Sequence, residues 1–190
     1  MIISKNISLH VAWEAIWEEV EKAASEKDHP YRYPILGTVD TNEKPDLRKV
    51  VLRDYKDGNR FIIFTDSRSL KVGQIENNPS VSLLFWNDEM SLQLRANGKA
   101  EIYTDGETKE QYWEEQGKHG YHSYTSVHTP GERISSPEEA FEWEGLNPGH
   151  FCVIEITLEE AEFLQLNGIE HLRAKRVISG ERIIDNWITP

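Results

Sequence analysis

Short segments in which apolar and polar residues alternate make up most of the chain after residue 33, and this pattern most restricts the fold. A period of two is typical of strands that bury one face. Turn-forming residues such as Asn42, Pro45 and Gly58 separate the first segments, as hairpins require. The pattern predicts strands at residues 33–40, 47–55, 60–65, 80–86, 92–103, 151–157, 171–178 and 181–187. Because regular helical crossovers are missing from the pattern, we expect a mainly β fold with α elements. An antiparallel barrel is favoured over a doubly wound parallel sheet.

Helical spacing is clearest before the first strand. Apolar residues recur at three- and four-residue steps from Leu9 to Ala24, with acidic residues between them, and Ser8 is placed to cap the helix. Trp13 and Trp17 lie on this apolar stripe, where packing in the core is a commoner role for tryptophan than lining a cofactor site. The sequence therefore predicts an N-terminal helix whose tryptophans belong to the core.

The length of 190 residues is in the usual range for one domain. We expect a single domain of residues 1–190, with the N-terminal helix in residues 1–30 and an excursion of helix and loop in residues 105–148. Local patterns further predict a helix at 66–77, a helix at 108–116, a polar loop rich in histidine and tyrosine at 117–137, and a helical turn at 158–161.

Composition and charge exclude several classes of protein. The net charge of −12 disfavours nucleic acid or an anionic membrane surface as the main partner. Cys152 is the only cysteine, which excludes an internal disulfide and a cysteine-based zinc site, and its apolar segment predicts a core residue. The sequence contains neither a run of about 18 apolar residues nor the apolar core of a signal peptide. We therefore expect a cytoplasmic protein with no nucleic-acid and no membrane partner.

One stretch is unusually basic for an acidic chain, since residues 48–71 hold seven lysines and arginines against three aspartates. Thr65 and Ser69 bracket the predicted start of a helix, where backbone N–H groups and hydroxyls bind anions. Arg48 and Lys71 can add the cationic groups that hold a phosphate. The residues thus predict a phosphate monoester site of Arg48, Thr65, Ser69 and Lys71. The alternative is a capped helix whose charges lie on a solvated face.

The same stretch belongs to an ordered set of motifs. RKVVLR begins at Arg48, FTDSRSLK begins at Phe64, QIENNP spans 74–79, and Gln93 precedes Gly98 by five residues. The closing Arg176, Trp187 and Pro190 complete the set. Together these motifs resemble the pyridoxamine 5'-phosphate oxidase family of FMN-binding split-barrel proteins, firmly over 33–103 and more loosely over 150–190.

The resemblance implies an antiparallel split β-barrel, FMN as the cofactor, and a homodimer with FMN at the interface. In the family pattern Val50 and Val51 would present backbone groups to the flavin ring, and Gln93 would come from the other subunit. The positions that match flavin-binding residues are Arg48, Lys49, Val50, Val51, Leu52, Arg53, Phe64, Thr65, Arg68, Ser69, Lys71, Gln93 and Arg176. No catalytic residue is assigned.

The residues that contact the substrate in the family are mostly replaced in this chain. Leu172 and Ala174 stand where the phosphate oxidases have a substrate-contacting Arg and His, and Gln116 falls where a further Arg is expected. Leu164 replaces a tryptophan that contacts flavin, and Arg53 stands where the oxidase has a lysine near the substrate. The resemblance therefore implies a flavin-dependent oxidoreductase with a different small-molecule substrate.

Two further departures lie near the flavin. Leu70 stands where the oxidases have a second phosphate-binding Arg, and Arg68, two positions earlier, is expected to compensate. Pro130 and Gly131 replace a polar pair that contacts flavin.

Three functions remain open from the sequence. The first is an FMN-dependent oxidoreductase, whose substrate or electron donor the sequence does not identify, and the second is a flavin-binding module without turnover. The third is a metal- or haem-binding protein on a similar barrel, because His119, His122 and His128 share one polar loop. Gly-rich nucleotide-binding loops are missing from the sequence, so NAD(P)H would have to bind without that fingerprint.

Overall fold

Antiparallel strands form the framework of the protein in the computed structural model, which describes residues 3–190. The strands are β1 (Ile35–Val39), β2 (Pro45–Lys49), β3 (Leu52–Lys56), β4 (Arg60–Asp66), β5 (Ser80–Asn87), β6 (Leu92–Tyr103), β7 (Phe151–Gln165), β8 (Leu172–Ser179) and β9 (Arg182–Ile188). The α-helices are α1 (Leu9–Ser25), α2 (Leu70–Asn77) and α3 (Gly106–Glu115), and short 3₁₀ helices occupy Pro30–Arg32, Gly117–Ser123 and Pro137–Ala140. The expectation of a mainly β, antiparallel architecture is confirmed.

One chain segment connects the two ends of the sheet. Its strand order is β2-β1-β5-β6-β7-β4-β3, so β2 and β3 lie at opposite ends although only Val50 and Val51 separate them in the chain. The Val50 N–H still donates to the Pro34 carbonyl at 2.9 Å, after which the segment leaves β1 and pairs with β4. The single strand predicted at 47–55 is therefore two strands with a break, and the break joins the two ends of the sheet.

A long strand, β7, splits the sheet on one side. Residues Phe151–Thr157 pair with β4, the part from Glu160 to Gln165 pairs with β8, and β6 runs alongside both. The helical turn predicted at 158–161 is wrong, because Leu158 and Ala161 point into the core of a strand that continues. A bulge at Asn97/Gly98 accompanies the change of partner, and a Cβ on Gly98 would lie 2.1 Å from the Thr157 carbonyl oxygen. This is the split β-barrel that the resemblance implies.

The N-terminal helix closes one side of the core. The Ser8 hydroxyl accepts a hydrogen bond from the Val11 N–H at 3.3 Å, which confirms the predicted cap. Trp13 is fully buried with its ring 5.0 Å from that of Phe163, and Trp17 packs partly buried against the same core, so the tryptophans are core residues as predicted. Cys152 is also fully buried, and burial raises the pKa of its thiol to about 12.

The excursion packs its own smaller apolar cluster onto the barrel. Tyr112 and Trp113 of α3 and Tyr124 of the following loop join Phe64 and Phe151 in this cluster. The predicted helix at 108–116 is confirmed with a start at Gly106, and the predicted loop contains the 3₁₀ turn at Gly117–Ser123. Within residues 3–190, every helix is too short or too polar to cross a lipid bilayer.

Candidate functional site

A cavity of about 310 Å³ opens where the barrel segment breaks at Val50 and Val51. The end of β4 and the start of α2 form its second side, and the excursion forms its third. Its lining residues are Lys49, Val50, Val51, Arg53, Phe64, Thr65, Asp66, Ser69, Lys71, Ser123, Tyr124 and Pro130. Eight of the thirteen residues predicted to bind a cofactor therefore meet in one cavity. The chain brings them together because β3 and β4 are a hairpin and α2 follows β4 directly.

One end of this cavity is built for an anion. The Lys71 Nζ donates to the Thr65 Oγ1 at 2.9 Å, and the Thr65 and Ser69 hydroxyl oxygens lie 3.3 Å apart. Ser69 is the N-cap of α2 but makes no side-chain cap bond to the helix. Burial lowers the pKa of Lys71, and the nearby charge of Arg48 lowers it further. Because Lys71 forms no ion pair within residues 3–190, this half-buried cation and two hydroxyls match the needs of a phosphate group.

Arg48 lies next to this anion site without lining the cavity. Its guanidinium donates to Asp46 at 2.5 Å and to the Thr38 hydroxyl at 2.6 Å. A further bond of 3.0 Å reaches the side-chain oxygen of Gln74, three residues after Lys71 on α2. Arg48 thus connects β1, β2 and α2 and fixes the helix that carries Lys71. Its predicted direct contact with a phosphate stays a prediction.

The other end of the cavity combines a second cation with aromatic rings. The Arg53 guanidinium carbon lies 5.5 Å from the centre of the Phe64 ring, and the guanidinium donates to the Tyr124 hydroxyl at 3.1 Å. The buried Nε of Arg53 has no hydrogen-bond partner in the part of the chain that the structure describes. Burial raises the pKa of Tyr124, so its hydroxyl stays protonated near neutral pH. The side chain of Leu52 is fully buried in the core, so only its backbone can face a ligand.

Arg68 lies behind the cavity, where it bridges two segments. Its Nε and one terminal nitrogen donate to the Asp66 carboxylate at 3.1 and 2.7 Å. The guanidinium also donates to the carbonyl oxygens of Ser126, Val127 and His128 in the excursion, at 2.6, 3.3 and 3.4 Å. The predicted phosphate contact of Arg68 is not tested by this arrangement, but its donors already have acceptors.

Gln93 and Arg176, the two remaining predicted residues, do not line this cavity of the described chain. Gln93 lies on the outer face of β6, opposite Trp86 of β5. Arg176 donates two hydrogen bonds to Asp185, at 2.8 and 2.7 Å, and stacks 4.9 Å from the centre of the Trp13 ring. The predicted contact of Gln93 with the flavin of a second subunit stays a prediction.

Ser123 and Tyr124 line the cavity, although the sequence did not single them out. The polar loop that carries them has many tyrosines and no motif that selects one. Tyr112 of α3 packs behind these residues and is buried, and its hydroxyl donates to Asp54 at 3.0 Å. Burial first, and then this hydrogen bond, raise the pKa of Tyr112.

The three loop histidines do not form a metal site in the structure. His122 stacks on Tyr121 and meets the edge of Trp143, while His128 lies 3.4 Å from Glu132. Among residues 3–190 there is no group of three or more His, Cys, Asp or Glu residues arranged to hold a metal ion.

Comparisons with known proteins give a family match over most of the chain. The family model for pyridoxamine 5'-phosphate oxidase matches residues 29–165. Pyridoxine/pyridoxamine 5'-phosphate oxidase of Legionella pneumophila (strain Lens) is 39% identical over 75 residues, which are 40% of this chain and 34% of that protein. The match with this curated relative thus spans about a third of the relative's length.

Solved structures share the fold along the whole chain. A pyridoxamine 5'-phosphate oxidase-related, FMN binding protein from Nostoc punctiforme superposes with a TM-score of 0.79 at 21% identity, over 100% of both chains. PhzG from Burkholderia lata 383, in complex with tetrahydrophenazine-1-carboxylic acid, gives a TM-score of 0.74 at 17% identity, over 98% of this chain and 95% of PhzG. At these identities the likeness is one of fold.

Proposed function

Because this chain belongs to the pyridoxamine 5'-phosphate oxidase family, we propose that it binds FMN in the cavity at Val50 and Val51. We further propose that it is an FMN-dependent oxidoreductase for a small molecule other than the B6 phosphates. The observation that carries the proposal is Lys71, a half-buried cation without an ion-pair partner in residues 3–190, held beside the hydroxyls of Thr65 and Ser69.

The residues of the cavity fit FMN at both ends. A terminal phosphate fits Lys71 and the two hydroxyls, because the negative charge of the phosphate compensates the buried ammonium group for the water that it has lost. A flat ring system matches the space between Val50, Phe64 and Tyr124, since these side chains are apolar or aromatic. The Arg53 Nε, buried without a partner in the described chain, offers a donor to ring or substrate oxygens.

The residues of the chain would bind and orient FMN, and the cofactor would supply the redox chemistry. When bound, FMN would accept a hydride or electrons from a substrate and pass them on. Lys71, Thr65 and Ser69 would fix the phosphate end and so the position of the ring. Arg53 would place positive charge at the ring end, where it can attract an anionic substrate group. Tyr124, protonated near neutral pH, would keep its hydroxyl as a hydrogen-bond donor there.

Small-molecule chemistry is also supported by the relatives. The Legionella protein is an oxidase of pyridoxine and pyridoxamine phosphates, and PhzG binds tetrahydrophenazine-1-carboxylic acid. Both ligands are ring compounds with an acidic group, which the Arg53 end of this cavity can also accommodate.

The first prediction tests flavin binding. The purified protein should show the absorption spectrum of bound flavin, and mass analysis of the released ligand should identify FMN. Riboflavin, which lacks the phosphate, should bind at least about tenfold more weakly, because a hydrogen bond to a charged group contributes about 1.5–3 kcal/mol. Equal affinity for the two flavins would contradict the assignment of the anion site.

Turnover separates the oxidoreductase from a flavin module. FMN-loaded protein should be reduced anaerobically by NAD(P)H or by a member of a substrate panel, and should reoxidise when air is admitted. Flavin that binds tightly but is reduced by none of these donors would favour a binding module without turnover.

We also propose a homodimer in which the outer face of β5 and β6 is covered by a second copy. Trp86 is 40% exposed on this face beside Gln93, the residue that the family pattern assigns to the other subunit's flavin. A closed two-fold pair is the commonest arrangement for identical chains. Such a pair would bring Gln93 of each copy close to the flavin of the other copy, because Gln93 does not line the cavity of its own chain.

The second prediction concerns this dimer. In sedimentation at micromolar concentration the protein should run at twice the chain mass. Trp86→Glu should shift it toward the monomer and lower FMN occupancy, because a charge would be buried in the interface. Phe141→Glu is the matched control, since Phe141 is an exposed aromatic residue of the excursion, 62% accessible. A wild-type monomer that carries one FMN per chain would overturn the proposal.

A further inference from the structure

We infer that Arg68 is a clasp that ties the anion-binding turn to the wall of the flavin cavity, rather than a ligand of the phosphate. The inference rests on the proposed flavin site and concerns how that site is closed. It changes the role of a residue whose charge and position otherwise make it a phosphate-binding candidate.

The turn that carries Arg68 is the one that carries the anion site. Thr65 ends β4, Ser69 caps α2, and Lys71 lies in the first turn of that helix. Asp66 is only 4% exposed, and its carboxylate accepts bonds from the Arg68 backbone N–H at 2.8 Å and from the guanidinium. The side chain of Arg68 is therefore held to the turn by a two-point charged pair, the strongest kind of side-chain contact available here.

The remaining donors of Arg68 reach the wall of the cavity. They bind three successive carbonyl oxygens, those of residues 126–128. Tyr124, which lines the cavity, lies just before this run, and Pro130, which also lines it, lies just after. Arg68 thus fixes the segment of the excursion that presents both residues to the cavity.

The same segment is paired on its far side with the end of the excursion. The Val127 N–H donates to the Glu142 carbonyl at 3.0 Å, and the Glu144 N–H donates to the Thr125 carbonyl at 2.9 Å. This short pairing is too small to be stable alone. The guanidinium of Arg68, with its planar fork of five donors, connects this pairing to the turn.

Flavin binding and closure of the wall are therefore coupled. Arg68 holds residues 126–128, and the neighbouring Tyr124 and Pro130 line the cavity. Because Tyr124 lies at the Arg53 end and not at the anion site, a fixed wall favours flavin of any kind, with or without a phosphate. A direct phosphate contact by Arg68 would favour FMN alone.

The test compares Arg68→Ala, Arg68→Lys and the control Arg133→Ala, which removes an exposed arginine of the same excursion. Amide hydrogen exchange over 124–128 and 142–144 in the flavin-free protein should speed up about tenfold in both Arg68 variants. The affinities for FMN and for riboflavin should fall by the same factor, about tenfold, so that their ratio is unchanged. Arg68→Lys is expected to lose the connection to residues 126–128, because lysine keeps the positive charge but lacks the planar set of N–H donors. Arg133→Ala should change neither measurement.

The outcomes separate the two roles of Arg68. Loss of FMN affinity alone, with riboflavin affinity and exchange unchanged, would overturn the clasp in favour of a phosphate contact. If wild-type protein bound neither flavin, the proposed function would fail, and the exchange of the flavin-free protein would still decide the clasp. Unchanged exchange in both Arg68 variants would reject it.

Discussion

Replacing Lys71 by Met is expected to abolish most of the preference for FMN over riboflavin while making the flavin-free protein more stable. Lys71 is the cation of the anion site, and its Nζ contacts Thr65 at 2.9 Å. Loss of a hydrogen bond to a charged group should lower FMN affinity by about 1.5–3 kcal/mol, or roughly 10- to 150-fold. Riboflavin affinity should change little. Calorimetric titration with both flavins measures the ratio.

The gain in stability follows from the burial of an ammonium group without an ion-pair partner in residues 3–190. Burial lowers the pKa of Lys71 in the folded state, so the unfolded state binds more protons in alkaline solution. Wild-type stability should therefore rise as pH increases from the lowered pKa toward the ordinary value for lysine. Met fills a similar volume without a charge and should add about 1 kcal/mol near neutral pH.

The controls for this variant are an exposed lysine and a pH series. Lys27→Met removes a solvated charge outside the cavity and should alter neither flavin affinity nor the pH dependence of unfolding. In wild type, FMN affinity should fall as pH rises through the lowered pKa of Lys71, because the ammonium loses its proton. A Lys71→Met protein that still prefers FMN over riboflavin by the wild-type factor would exclude Lys71 from the phosphate site.

Steady-state oxidation of pyridoxine phosphate and pyridoxamine phosphate should be very slow, even with the cofactor site filled. Gln116, Leu172 and Ala174 stand where the phosphate oxidases have two arginines and a histidine that contact the substrate. Losing one charged contact costs about 1.5–3 kcal/mol, so the loss of two independent contacts predicts a reduction of at least about a hundredfold.

The structure adds a steric reason on β8. Leu172, Ala174 and Arg176 share the face of β8 that is turned toward the core, where Ala174 is fully buried. Arg176 stacks on Trp13 of α1 and pairs with Asp185, and the Trp187 ring lies 5.9 Å from that of Phe163. This face is covered by the N-terminal helix and by core side chains, so a substrate cannot reach it without their displacement.

The assay uses FMN-loaded protein with each phosphate at saturating oxygen. A kcat/KM at or above about 10⁴ M⁻¹s⁻¹, the lower part of the ordinary enzymatic range, would defeat the prediction. So would tight binding of pyridoxal phosphate to the FMN-loaded protein. The control is Ala174→His, which restores one side chain of the family pattern at a buried position and is expected to destabilise the fold rather than restore activity.

Alternation along the sequence was sufficient to predict the strands, but not how they connect in space. The break at Val50 and Val51 was invisible because valine suits a strand as well as a bend in one. The continuation of β7 was missed because Glu159 and Glu160 look like a solvated turn. In the structure Glu160 pairs with Lys175 of β8 at 2.7 Å, a contact that only the fold supplies.

The cavity residues also divide into those that the local sequence predicts and those that only the fold brings together. Thr65, Ser69 and Lys71 lie within seven residues, so local helix chemistry identified them together. Tyr124 comes from a segment about 60 residues away, and its approach to Arg53 depends on how the excursion packs. The role that we infer for Arg68 was hidden for a different reason: its acceptors in the wall are backbone carbonyls, which have no signature in a sequence.

The break between β2 and β3 separates two hairpins, and this separation bears on the stage of folding at which the cavity forms. The hairpins of β1 with β2 and of β3 with β4 join near neighbours in the chain and can form early. The two hairpins become part of one sheet only when β4 pairs with β7, where Thr65 lies opposite Cys152, far along the chain. Pairing at such separation is slow, because the entropy of closing the long loop comes first. We therefore expect the cavity to form late in folding, so that a ligand that binds there stabilises the finished fold and does not guide its assembly.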